Sequence, residues 1–280
     1  MPRKSMAKIG RFLSIPVMAV FLLMCFVYYS TIFVFTEELV SLKSTLGMSN
    51  ALAFSFSALM CFVSFVSSVV TDPGFVPATY VPEVEDGGFE DPELKKSSVN
   101  SRYCDKCATH KPPRAHHCRV CKRCVLRMDH HCTWINNCVG FSNYKKFIIF
   151  IFYSAISCSY SFVIFFTATL RKDWGLRWSP LKTFYITCGS ITTALGATLV
   201  TLLVWHLYLL VHNMTTIEYH EGRRAKWLAR KSGLSYRHPF DLGLCKNIIL
   251  LLGPNVLTWP CPTAVYHAKD GTNFPTSHDN

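Results

Sequence analysis

Four apolar runs, roughly Phe12 to Phe35, Met48 to Val70, Phe147 to Leu170 and Phe184 to Val211, constrain this chain more than any other feature. Each holds about 20 or more residues with almost no charge, the length a helix needs to cross a hydrocarbon core about 30 Å thick. They predict four transmembrane helices (spans about 12–35, 48–70, 147–170 and 184–211); the alternative is buried core helices of a soluble protein. Half of the 280 residues are hydrophobic, and the four runs carry most of them. Short loops join the runs pairwise, so two helical hairpins are expected, packed through small residues such as Gly189, Ala194, Gly196 and Ala197. The first run is too long for a signal-peptide core and should be kept as an anchor. The start Met-Pro-Arg-Lys lacks a myristoylation glycine, and the end Ser-His-Asp-Asn carries no prenylation or retrieval signal.

The net charge of +12 raises the question of a nucleic-acid partner, and its placement argues against one. Of the 29 Lys and Arg residues, 24 lie in the N-terminal segment, the loop between the second and third runs, and the C-terminal tail. Those three segments share one side of a four-span topology. Only Lys43, Arg171, Lys172, Arg177 and Lys182 lie on the other. The positive-inside rule then places both termini and the central loop in the cytosol. The single sequon, Asn213-Met214-Thr215, should therefore stay unglycosylated. No helical reading segment accompanies the basic charge, so nucleic acid is not an expected partner. The spans carry hardly any charge, which argues against a channel or transporter, and His206 and His212 sit near a cytosolic end.

Seven cysteines and five histidines fall between Cys104 and Cys138, inside the central loop. They read Cys104-x-x-Cys107, His116-His117-Cys118-x-x-Cys121-x-x-Cys124, Asp129-His130-His131-Cys132, and Cys138. In a reducing compartment such thiols serve as metal ligands or nucleophiles rather than disulfides. The stretch from Arg102 to Lys146 has few aliphatics for a core and needs metal to fold. Pro112-Pro113 and the absence of a 3.6-residue period predict short loops and hairpins around the ligands.

Structural zinc takes four Cys/His ligands, so one site cannot use this cluster and two sites need eight. Seven cysteines with one histidine would supply them, as would six cysteines with two histidines; the second solution leaves a thiol over. Cys132 is the natural candidate, with Asp129 and His130 just upstream and Trp134 just downstream. A nucleophilic thiol needs a base, and the base needs orienting. Otherwise Cys132 simply ligates and one histidine does not. Cys104/Cys107 and Cys118/Cys121 are the half-sites, to be completed by Cys124, Cys138, His131 and one of His116 or His117. Spacing leaves open which completes which.

These motifs, with Asn143-Tyr144, resemble the cysteine-rich domain of the DHHC-type protein S-acyltransferases, the palmitoyltransferases. Asp72-Pro73-Gly74 and Thr215-Thr216-x-Glu218 match that family's two other short motifs, and Tyr219-His220-Glu221-Gly222-x-Arg224-Ala225 is most like the plant members. The resemblance implies an all-α membrane protein with a cytosolic zinc-binding cysteine-rich domain between helices 2 and 3. The expected organisation is a tail and hairpin (1–71), a cytosolic linker (72–101), the zinc domain (102–146), a second hairpin (147–212) and a cytosolic tail (213–280). A short apolar run in that tail, Ile248 to Leu252, is read as packed rather than interfacial.

The resemblance further implies two interleaved zinc ions, one on Cys104, Cys107, His117 and Cys124, the other on Cys118, Cys121, His131 and Cys138. Asp129 and His130 would activate Cys132, Thr216 would support Asp129, and Asn247 would organise the tail. The expected reaction passes a palmitoyl or similar long chain from acyl-CoA to Cys132 as a thioester. It then passes to a cysteine of a membrane-associated protein at the bilayer surface. Lys111 and Arg114 are candidate contacts for CoA phosphates, and Trp134 for the thioester. Phe26, Val27, Tyr28, Phe147, Phe150 and the small Ser157 are candidates for the acyl pocket. Golgi or another endomembrane is the expected location, with the plasma membrane as the other option. The four cysteines within the spans read as small packing residues, while Cys245 and Cys261 in the tail are open to acylation. The competing function is a non-catalytic, membrane-tethered zinc scaffold or adaptor.

Overall fold

The computed structural model describes residues 10, 12–77, 79–82, 102–172, 179–263 and 270–277. The acidic linker residues from Glu83 to Glu93, the N-terminal Arg3, Lys4, Lys8 and Arg11, and Arg177 lie outside the described residues. The chain divides into two compact units. One comprises Met1–Val69, Lys146–Leu207 and Pro260–Thr263; the other comprises Val70–Lys145, Tyr208–Trp259 and Ala264–Asn280. The Asp-Pro-Gly segment and most of the C-terminal tail thus share a unit with the cysteine-rich segment.

Four helices are long and apolar enough to cross a membrane: α1 (Ile15–Val40), α2 (Thr45–Val70), and, after the cysteine-rich segment, two more described below as α3 (Tyr144–Arg171) and α4 (Pro180–Val211). Proline stands in the first turn of both α1 and α4, where its missing N–H costs nothing. The first span runs five residues past its expected end because a π-helical stretch, Ser30–Thr36, carries the backbone on to Glu37 and Glu38. Ser41, at φ 50°, then stops it. Gly47 is required at the start of α2, since a Cβ there would stand 2.0 Å from the Ser41 carbonyl oxygen.

Within the membrane unit, Phe35 is fully buried between Phe165 and Tyr185, with ring centroids 5.1 and 5.2 Å away. Gly189 lets α4 approach the Phe165 ring, which a Cβ would overlap, and Gly196, two turns on, faces Cys158. Ala194 and Ala197, expected at the same contact, are exposed, because they fall on the other side of the helix. On α3, Ser154, Ser157 and Ser161 lie on one face and bond Cys61 (3.1 Å), Ser57 (2.9 Å) and Thr31 (2.7 Å). This seam supplies the polar contacts that apolar spans cannot obtain from lipid.

The second unit contains three two-stranded antiparallel hairpins: β1 (Tyr103–Cys104) with β2 (Thr109–His110), β3 (His116–Cys118) with β4 (Arg123–Val125), and β5 (His130–Cys132) with β6 (Asn137–Val139). Its small apolar core includes Val125, Ile135, Cys138 and Val139, all fully buried. The Asp-Pro-Gly motif is stitched onto these hairpins. Asp72 accepts from the Gly74 N–H (3.0 Å) and pairs with Arg123 (2.8 Å), while the Gly74 and Pro73 carbonyls accept from Leu126 and Ser142. Gly140 is needed beside them, since a Cβ would meet the Pro73 and Leu126 carbonyl oxygens at 2.9 Å.

Helix α3 begins immediately after Asn143, leaving no linker. The tail adds α5 (Thr216–Lys231) and α6 (Leu244–Leu252). Asn247 on α6 is fully buried and holds three tail segments, donating to the Val211 carbonyl and Asp241 and accepting from the Leu242 N–H. Ile249, on the opposite side of α6, is exposed, as is Leu244 at its first position.

Candidate active site and metal centres

Strand alternation sorts the Cys/His cluster into separate jobs. Neighbouring residues on a strand point to opposite faces, and directly paired residues share a face. In β3, His117 pairs with Cys124 while Cys118 pairs with Arg123, so adjacent residues serve different centres. In β5, His131 pairs with Cys138, whereas His130 and Cys132 turn the other way. Cys104, Cys107, His117 and Cys124 accordingly bring their ligand atoms within 4.8 Å of one another, as do Cys118, Cys121, His131 and Cys138.

The Nδ1 of His117 lies 3.2–3.9 Å from its three sulfurs, and that of His131 lies 3.5–3.7 Å from its own. A tetrahedral zinc with Zn–S about 2.3 Å and Zn–N about 2.0 Å sets S···N separations of about 3.5 Å. Both donor sets fit that ion in chemistry and in spacing. Within the second set, hydrogen bonding from Cys138 holds the Cys121 thiol well below its ordinary range. The same bond pushes Cys138 up.

The three hairpins share one turn. Ala108, Lys122 and Asn136 adopt left-handed backbone at φ 49°, 52° and 44°, each four residues after Cys104, Cys118 and Cys132. Those cysteines recur every 14 residues. The first two turns carry a second thiol, Cys107 and Cys121; the third carries buried Ile135 in its place. Cys132 is therefore the leading cysteine of a metal-binding turn that lacks its partner, and it belongs to neither donor set.

Around Cys132 stand the groups a thiol nucleophile needs. His130 bonds the Asp129 carboxylate through Nδ1 at 2.7 Å and also hydrogen-bonds Cys132. Burial works against its imidazolium, but the bonds to Asp129 and Cys132 outweigh that and push its pKa up to about 9. Asp129 is fully buried. It further accepts from the Thr216 N–H (3.0 Å) and hydroxyl (2.8 Å), at the N-terminal turn of α5, where the helix dipole favours a carboxylate. That turn is closed by a capping box between Thr215 and Glu218.

The Arg114 guanidinium is buried and forks onto Glu218 at 2.6 and 2.7 Å, donates to the Asn213 carbonyl at 2.6 Å, and stacks on Phe240 at 4.3 Å. Burial would raise the Glu218 carboxyl, but Arg114 holds it below the ordinary carboxylate value. Lys111 is half-buried, and Trp134 is 57 % exposed on the 3-10 turn after Cys132. Phe147 and Phe150 belong to the membrane unit, buried against His206 and Phe65. Ser157, bonded to Ser57, and Tyr28, bonded to Ser55, lie in that unit as well.

Sequence reasoning missed Arg127, which is fully buried, stacks on Tyr144 at 4.8 Å and donates to Asn213. Burial, then repulsion from Arg114, lowers its pKa to about 10. Nothing local marked it. For Cys132 the 14-residue recurrence was a further signal, beside the ligand count that had already singled it out.

Four membrane-length helices with paired Cys/His centres and a Cys-His-Asp line define a membrane-embedded, metal-stabilised thiol protein. A family model described as "DHHC palmitoyltransferase" matches residues 97–223. The chain is 50% identical over 258 residues to "Probable protein S-acyltransferase 15" of Arabidopsis thaliana, covering 92% of this chain and 100% of that protein. It is 47% identical to "Probable protein S-acyltransferase 16" of the same plant, covering 95% and 94%. It is 36% identical to "Palmitoyltransferase ZDHHC2" of Mus musculus, covering 62% and 46%. The chain belongs to the DHHC palmitoyltransferase family.

Proposed function

We propose that this chain moves a long acyl group from acyl-CoA to a cysteine of a membrane-associated protein by way of a thioester on Cys132. The observation that carries this reading is the position of Cys132, outside both donor sets and hydrogen-bonded to a histidine that Asp129 orients. In the first step His130 takes the Cys132 proton, and the thiolate attacks the acyl carbonyl. A new C–S bond forms as the bond to the CoA sulfur breaks, and His130 returns the proton to the departing CoA thiolate. In the second step the substrate thiol gives its proton to His130 and attacks, and Cys132 leaves and is reprotonated. Asp129 fixes the tautomer and orientation of His130 and stabilises its charged form. Zinc held by the two donor sets would cross-link the hairpins that carry these residues.

Incubating the protein with palmitoyl-CoA should leave one hydroxylamine-sensitive acyl group that peptide mass spectrometry maps to Cys132. A label confined to Cys245, Cys261 or the donor cysteines would overturn this route.

The acyl chain itself requires an apolar surrounding, and its burial, at about 0.8 kcal/mol per methylene, supplies ample binding. We assign it to the membrane unit, with Phe26, Val27, Tyr28, Phe147, Phe150 and Ser157 as its candidate wall. The small Ser157 favours tolerance of chains longer than palmitate. Competition between acyl-CoAs of increasing length should shift toward shorter chains in Ser157→Tyr, and an unchanged profile rules Ser157 out as a determinant. Trp134 beside the thioester and Lys111 toward CoA complete the proposed site. The Lys/Arg distribution supports a cytosolic placement of the donor sets and both termini; the family resemblance alone supports the Golgi or another endomembrane.

A further inference from the structure

The basic stretch from Arg223 to Lys231 has no part in the chemistry above, yet its two faces are sharply different. Beyond His220 the only half-buried residues of α5 are Gly222, Ala225 and Ala229. At about 100° per residue these three small residues form one inward stripe, and Gly222 approaches the Tyr236 hydroxyl so closely that a Cβ would lie 3.2 Å from it. The outward face is centred on Trp227, which is 55 % exposed. Arg223, Arg224, Arg230 and Lys231 all project within about 60° of it, and the Lys231 ammonium stands 3.8 Å over the indole. Glu221 is the single acidic residue of the exposed stretch, and among the described residues no ion pair takes any of its five cations.

We infer that this outward face of α5 is a docking surface for anionic lipid headgroups. Charge complementarity selects the anion, since each Lys or Arg near a negatively charged leaflet attracts it by a comparable increment. The indole at the centre selects a bilayer over a soluble acidic protein, because Trp partitions to the headgroup level and long cationic side chains reach phosphates around it. Chain connectivity agrees: four residues, Val211 excluded, separate the last membrane-length helix from Thr216. Because Thr216 at the other end of α5 holds Asp129, a docked helix would steady the turn that supports the active site. The docking itself is independent of the chemistry assigned to Cys132.

The test is amide hydrogen exchange on the full chain in nanodiscs of phosphatidylcholine alone and of phosphatidylcholine with about one-third phosphatidylserine. Exchange over residues 220–231 should slow about tenfold with the anionic lipid, and the slowing should vanish in high salt. A variant carrying Arg223→Gln, Arg224→Gln, Arg230→Gln and Lys231→Gln should lose the slowing and keep its zinc content, which shows that it has folded. Equal exchange of the unsubstituted chain in the two membranes overturns the inference whatever the variant does. Slowing by soluble polyglutamate but not by phosphatidylserine overturns it in favour of an acidic protein partner.

Discussion

A Cys132→Ser chain retains two zinc ions and loses acyl transfer by at least about a thousandfold, since a nucleophile and its base act as one unit. The reason lies in the β5–β6 hairpin. His131 and Cys138 are directly paired and face the second donor set, while Cys132 pairs with Asn137 and turns toward His130. Replacing its sulfur with oxygen removes no metal ligand and leaves no void. Zinc per chain, measured on the purified variant, separates this outcome from that of a structural thiol. On a scaffold reading Cys132 ligates, and the same substitution releases metal and exposes the hairpins. Two zinc ions with no hydroxylamine-sensitive label is the result expected here; fewer than two, with disordered hairpins, would place Cys132 among the ligands.

The parts of this arrangement legible in the sequence were those set by length and by ligand type. Four apolar runs announced four spans, and a Cys/His cluster too poor in aliphatics for a core announced metal. Span ends were read less well where the backbone did something local: helix α1 continues through the π-helical stretch Ser30–Thr36 to Val40, past Phe35, where the apolar run was read to end. The division of ligands was not legible from spacing, because it is decided by which residues pair across a strand. Register brings His117, not His116, into a donor set, His116 pairing with Val125 and His117 with Cys124. The contacts of Arg114 were not legible for a different reason. An arginine beside a Cys/His cluster looks like an anion contact, and its actual partner, Glu218, is 104 residues away. Side chains that bridge distant segments leave no local pattern, and Arg127 and Asn213 were invisible on the same account.

That bridge has the larger structural consequence. Arg114→Ala should destabilise the metal-binding unit by about 3–5 kcal/mol, because Glu218 would remain as an unpaired buried charge. The loss should also reach catalysis, since Glu218 closes the capping box of the same helical turn from which Thr216 holds Asp129. Arg114→Lys should recover little, as an ammonium cannot reproduce the fork onto both carboxylate oxygens together with the Asn213 carbonyl. The pair Arg114→Met with Glu218→Gln should recover most of the stability: glutamine keeps the capping box and methionine fills the space between Phe240 and Phe274. The pH dependence follows from the same contact. The carboxyl of Glu218 is held below its unfolded value of about 4.3, so its stabilisation is complete above that value and is lost as pH falls through the depressed one. Thermal unfolding of the three variants in detergent, read beside zinc retention, distinguishes the outcomes. A wild-type melting temperature for Arg114→Ala would mean that the pair is not what locks α5 against the hairpins.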